Sequence, residues 1–182
     1  MVTLTKEDMA TLNDKNWLND KVILVYLGLI ENQHWPLAYM FNSFLTYKIK
    51  TCGLDGVKKW IPHNMDIYRY LVFPVHLADH WIVGVANRED RFLHIYDPLH
   101  ILRNIETEPI IRLLESTTKQ EWKQCQSKKL PRQTNAYDCD VYICKYVRQM
   151  LLGTSLQFTQ EEINRFRRNM KKDLVARTLL YT

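Results

Sequence analysis

Along this chain the spacing of apolar residues passes from a helical period to strand-like runs and back. Residues 17–31, WLNDKVILVYLGLIE, put Leu18, Val22, Val25 and Leu29 on one face, which predicts a buried helix started by Asn19 or Asp20. Residues 41–50 predict a second, shorter helix. Residues 70–77, YLVFPVHL, form an apolar run with a proline inside it. Residues 80–87, HWIVGVAN, and 92–97, FLHIYD, are rich in aromatic and β-branched side chains. These runs predict neighbouring strands, the last two joined by a turn at 88–91. Residues 108–116 predict a helix with Pro109 near its start, and 121–126 a short strand. The run 139–152, CDVYICKYVRQMLL, predicts a buried helix, and about 160–175 a last one. With strands in the middle and helices towards both ends, the fold class is α+β: a small, mostly antiparallel central sheet packed by helices.

Composition narrows this picture. At 182 residues, 46% hydrophobic and 25% charged, the chain is long and apolar enough for one globular core. It has only 5 glycines and no linker-like stretch, so residues 1–182 read as a single domain, expected to act as a monomer. No apolar run reaches membrane-spanning length, and the first residues lack a signal-peptide pattern, so neither a membrane nor secretion is expected. Cys52, Cys125, Cys139 and Cys144 form no CxxC pair, and the spacing of Cys139 and Cys144 is poor for zinc. Free thiols with no metal and no cofactor are expected. The net charge of +5 suits an acidic partner. Its densest patch is Arg165, Arg167, Arg168, Lys171 and Lys172. Ile163, Phe166, Met170 and Leu174 recur there at helical spacing, so the basic residues read as a solvated helix face rather than a nucleic-acid site.

Four features carry chemistry. Asp138 precedes Cys139 at the start of an apolar helix; as a cap it would put the thiol in the first turn, where free N–H groups are expected to lower the thiol pKa. His80 and Trp81 open a strand, and Asp97 closes the next one. A carboxylate on one ring nitrogen of His80 would fix the tautomer and leave the other nitrogen for Cys139. Gln133, in the loop before Cys139, could donate its amide to an oxyanion beside the Cys139 backbone N–H. Each residue alone is more often structural; together they form a Cys/His/Asp set on separate elements.

NWLNDKVI at 16–23, FNSFLTYKI at 41–49, FPVHLADHW at 73–81, IYDPL at 95–99 and PRQTNAYDC at 131–139 stand in the order seen in SUMO-specific proteases, also called sentrin-specific or ubiquitin-like-protein-specific proteases. RFRRNM at 165–170 resembles their C-terminal basic helix. The resemblance runs from about Asn16 to Leu180. It implies a papain-like cysteine-protease fold, a His80, Asp97 and Cys139 triad, and Gln133 in the oxyanion hole. It implies that Trp17 and Trp81 roof a tunnel for a di-glycine tail and that Asp20 meets the modifier. It further implies SUMO as partner, isopeptidase or tail-processing activity, and a place in the nucleus and/or cytoplasm. A protease for another ubiquitin-like modifier is the alternative within the class.

One position departs from the resemblance. Glycine is usual after the catalytic cysteine, and here it is Asp140. An acid in the first turn suits the helix dipole but opposes a neighbouring thiolate. Asp140 is therefore expected to slow the nucleophile and to crowd the substrate. Asp140→Gly is expected to speed cleavage, and a weakly active modifier-binding pseudoprotease is the remaining alternative.

Overall fold

The computed structural model describes residues 2–101, 106–126 and 130–180. Helix α1 spans Lys6–Ala10, α2 Asp20–Gln33, and strand β1 Ala38–Met40. Helix α3 spans Leu45–Cys52 and is followed by two 3-10 turns, Leu54–Trp60 and Met65–Ile67. Strands β2 (Tyr70–Leu77), β3 (His80–Asn87) and β4 (Phe92–Tyr96) form the centre. Helix α4 (Glu108–Thr118), strand β5 (Lys123–Gln126), and helices α5 (Cys139–Leu152) and α6 (Gln160–Ala176) complete the described elements.

The five strands lie in sequence order in one sheet. The centre, β2–β3–β4, is antiparallel as expected, whereas both edge pairings, β1–β2 and β4–β5, are parallel. Both faces are covered. Val72, Trp81, Val83 and Val85 pack with α2, α5 and α6, while Leu71, Phe73, Ile82 and Leu93 pack with α3 and α4. Burial on both sides is why these strands read as near-continuous apolar runs. Pro74 is tolerated in β2 because β1 pairs only as far as Val72, so its missing N–H faces an open edge.

Helix α2 starts where the sequence says it should, with Asn19 Oδ1 accepting the Val22 N–H at 2.9 Å. Its buried face, however, is Val22, Ile23, Tyr26, Leu27 and Ile30; Val25 and Leu29 are only half-buried. Helix α5 packs against the middle strand β3, which brings the start of that helix to the start of the strand.

Candidate active site

His80 is the first residue of β3, set there by the tight turn at Ala78 and Asp79. Asp97 follows directly on β4, the antiparallel neighbour of β3. The register therefore brings the two side chains together: His80 Nε2 lies 2.7 Å from Asp97 Oδ1, both buried. Backbone N–H groups of Leu99 and Ile101 donate to the same carboxylate at 2.9 and 2.7 Å, which fixes its orientation. With an acceptor carboxylate on Nε2, that nitrogen carries the proton. Nδ1 is then a bare lone pair, and it is buried with no hydrogen-bond partner among the described residues.

Cys139 is the first residue of α5 and is almost fully buried. It opens into a groove of about 560 Å³ whose walls include Trp17, Asp20, Phe44, Tyr47, His76 and Trp81. Trp81 lies flat against His76, with ring centroids 4.5 Å apart. Trp17 is 55% exposed, and its indole N–H donates to the Ala136 carbonyl at 2.8 Å, in the loop leading to Cys139. Asp20 is the first residue of α2. A larger groove of about 940 Å³ across α2 shares Asp20 with this one and contains no cysteine or histidine.

The thiol departs from the lowering expected of the helix start, while the opposing effect expected of Asp140 is present. Burial first, and then the charge of Asp140, push Cys139 up to about 11. Backbone N–H groups of Trp81, Asp140 and Cys139 pull the other way but are outweighed. The helix start helps a thiolate, yet a sulfur withdrawn from water loses more. Asp138 occupies the cap position without capping: its carboxylate makes no bond to the helix N–H groups. Instead it accepts from Arg167, at 2.8 and 3.2 Å, from Asn135 at 2.6 Å and from Gln160 at 2.7 Å.

Gln133 is buried and anchored by its backbone N–H to the Pro98 carbonyl, next to Asp97. Its amide donates to the Asn135 carbonyl at 2.7 Å and to the Asn135 side chain at 3.3 Å. It is not part of the groove wall. The structure thus joins His80 to Asp97 and gathers Cys139, Trp17, Trp81 and Asp20 on one groove, with Gln133 behind them.

Two residues were missed by the sequence pattern. Asn135 braces the loop before Cys139, its Oδ1 accepting the N–H groups of Tyr137 and Asp138 at 3.1 Å each. Arg167, expected on a solvated face, is buried and clamps that loop. Besides Asp138 it donates to the carbonyls of Tyr137 at 3.1 Å and Thr11 at 3.2 Å. Its position, four after Ile163 and one after Phe166, was a readable signal for the inner face.

A second thiol, Cys125, lies 3.1 Å from His94 Nδ1, with Asp90 3.5 Å from the other ring nitrogen. This set sits on the partly exposed β4–β5 edge, and none of its three residues lines either groove. No cluster of metal-binding type occurs among the described residues.

A thiol at a helix start, within reach of the Trp81 backbone, and a histidine just before Trp81 that is oriented by a carboxylate are the parts that a cysteine-peptidase class of site requires. Residues 16–179 match the family described as "Ulp1 protease family, C-terminal catalytic domain", and the chain belongs to that family. Sentrin-specific protease 5 of Mus musculus is 33% identical over 187 residues, covering 97% of this chain and 25% of that protein. Sentrin-specific protease 3 of Mus musculus is 31% identical, covering 94% of this chain and 32% of that protein. The chain therefore spans about a quarter to a third of the length of these curated relatives. Among solved structures, the SUMO protease Ulp1 with its catalytic cysteine oxidized to a sulfonic acid superposes with a TM-score of 0.88 at 22% identity, over 96% of this chain and 84% of that one. The C-terminal Ulp1 protease domain in complex with Smt3, the yeast ortholog of SUMO, gives 0.84 at 22%, over 95% and 83%. These superpositions carry the fold, a papain-like α+β architecture.

Proposed function

We propose that this chain is a thiol protease and isopeptidase that cleaves after the C-terminal di-glycine of SUMO, with Cys139 as nucleophile, His80 as base and Asp97 as its orienter. The observation that carries the reading is the 2.7 Å His80–Asp97 bond, which leaves a buried Nδ1, unpartnered among the described residues, facing away from the carboxylate. The relatives are named as sentrin-specific proteases, and one matched solved structure is a complex with a SUMO orthologue.

The chemistry follows from the protonation states. With its pKa near 11 the resting thiol is neutral. His80 Nδ1 takes the thiol proton as sulfur attacks the carbonyl carbon of the terminal glycine. The oxyanion is received by the Cys139 backbone N–H and by Gln133, once its 3.3 Å bond to the Asn135 side chain is released. The imidazolium, held by Asp97, then protonates the leaving amine, and water hydrolyses the thioester. Trp17 and Trp81 restrict the approach to residues without a side chain, and Asp20, Phe44 and Tyr47 offer a charged and aromatic rim to the folded modifier. The same reading places the protein in the nucleus and/or cytoplasm, among modifier conjugates.

A neighbour described as XopD bound to ubiquitin, with a TM-score of 0.58 at 14% identity, keeps other modifiers in the test. The experiment is a panel of SUMO, ubiquitin and other modifiers ending in di-glycine, each as a cleavable precursor and as a C-terminal electrophile. Cleavage and labelling at Cys139 with SUMO first is the expected result. Preference for another modifier would replace SUMO in the reading; binding without labelling would make the chain a pseudoprotease.

A further inference from the structure

Two stretches distant in sequence flank the thiol: Trp17–Asp20, leading into α2, and Ala136–Asp140, leading into α5. Two hydrogen bonds join them. One is the Trp17 indole to the Ala136 carbonyl, at 2.8 Å. The other runs from the Leu18 backbone N–H to Asp140 Oδ2, at 2.6 Å, and is buried. The second oxygen of Asp140 accepts the Val141 N–H at 2.7 Å and lies 3.5 Å from Arg167 Nη2. Arg167 is itself tied to Asp138, Tyr137 and Thr11, so the carboxylate has a fixed counter-charge. Asp140 is fully buried and is absent from the groove wall, so it does not crowd a substrate there.

A glycine at position 140 would leave the Leu18 N–H without its acceptor in a dry site, since Leu18 is also buried. We propose that Asp140 is a positioning residue which clamps the Trp17 wall to the nucleophile's own helix and so sets the width of the groove above Cys139. Width is what separates a glycine tail from an alanine tail, so Asp140 sets the stringency of that selection. The inference rests on reading the groove as the tail site.

The clamp has an opposing effect. Burial lifts the Asp140 carboxyl to about 7, against Arg167, and its charge raises the neighbouring Cys139. The ionisable groups facing it are Arg167 from α6 and Asp138, Cys139 and Cys144 from the start of α5; from the Trp17 side it meets a backbone amide. Loss of Asp140 should therefore move two readouts in opposite directions, which a merely structural defect would not do.

The test compares wild type with Asp140→Ala and Asp140→Asn in three measurements. They are hydrogen exchange of the Leu18 amide, alkylation of Cys139 by iodoacetamide against pH, and cleavage of precursors whose scissile bond follows Gly-Gly or Gly-Ala. In Asp140→Ala, Leu18 should exchange about tenfold faster, as loss of one buried hydrogen bond implies. Alkylation should be faster with its inflection at lower pH, while KM for the Gly-Gly precursor rises and the preference over Gly-Ala falls. Asp140→Asn keeps an oxygen for Leu18, so it should retain protection and selectivity while still alkylating faster. Unchanged Leu18 exchange and unchanged selectivity in Asp140→Ala would overturn the proposal. So would loss of selectivity in Asp140→Asn with Leu18 still protected, a variant that tests the idea even if Asp140→Ala does not fold. Exchange and alkylation need no modifier, so if wild type cuts no di-glycine precursor the functional reading fails while the clamp is still measured.

Discussion

At the scale of residues, the central question is which of two Cys–His–Asp sets does the chemistry. Cys139 opens onto the groove, and His80, bonded to Asp97, stands next to the groove-lining Trp81; Cys125, His94 and Asp90 sit on the sheet edge. Cys139→Ser should abolish cleavage of the di-glycine precursor while leaving its affinity nearly unchanged, and Cys125→Ser should cleave at the wild-type rate. A dead Cys125→Ser with an active Cys139→Ser would reverse the assignment. Asp97→Asn should leave the melting curve close to wild type and lower kcat between about 10² and 10⁴-fold, because Nε2 then no longer has a charged acceptor to hold the tautomer. Cys, His, Asp and the tryptophans were legible because each sits in a short local motif. The opposition of Asp140 to the thiolate was legible, but its place was misread as crowding the substrate, because its environment is not local: Leu18 and Arg167, its partners, are 122 and 27 positions away in sequence. What was missed in the thiol's raised pKa was its largest cause, since burial is a property of the assembled fold.

At the scale of elements, the strands and helices with long apolar runs were read to within a few residues, and β2, β3 and α5 at their observed ends. What escaped was short or depended on distant pairing. Helix α1 has five residues, and β1 has three that pair with β2, some thirty positions on. The parallel edges escaped because alternation of apolar residues does not report strand direction. Helix α6 was expected to carry a solvated basic face, and Arg165, Arg168, Lys171 and Lys172 do lie outward. Its start is a reciprocal cap: Thr159 accepts the Glu162 N–H at 3.3 Å, and Glu162 accepts the Thr159 N–H at 2.7 Å. Thr159→Ala should cost about 1 kcal/mol in urea unfolding and lower the melting temperature by about 2–4 °C. Because α6 delivers Arg167 to the loop before Cys139, KM should be the kinetic parameter that shifts if the helix start frays.

At the scale of the whole molecule, buried charge ties the helical layer together. Arg148 of α5 meets Asp173 of α6 at 3.0 Å and Tyr26 of α2 at 2.6 Å, while Arg167 joins α6 to the start of α5. Asp140 gives this arrangement a pH dependence. Its folded pKa, about 7, lies above its ordinary value of 3.8. The folded state therefore binds that proton more tightly, and the stabilisation is complete below about pH 4 and lost as pH rises through about 7. Between about pH 5 and pH 8 the wild type should lose melting temperature that Asp140→Asn keeps. A difference between the two proteins that stays constant with pH would mean the carboxyl titrates in its ordinary range.

The exposure of Trp17 has an optical consequence. More than half of its surface is in water, whereas Trp81 and Trp122 are buried. An indole in water emits further to the red than one in an apolar setting. A tail lying against Trp17 would strip that water away and shift the emission to the blue, with the still more exposed Trp35, outside the groove, as a constant background. Titrating Cys139→Ser with an uncleavable modifier should show this shift, and Trp17→Phe should silence it. The groove thus contains its own dye, and its occupancy becomes visible by light alone.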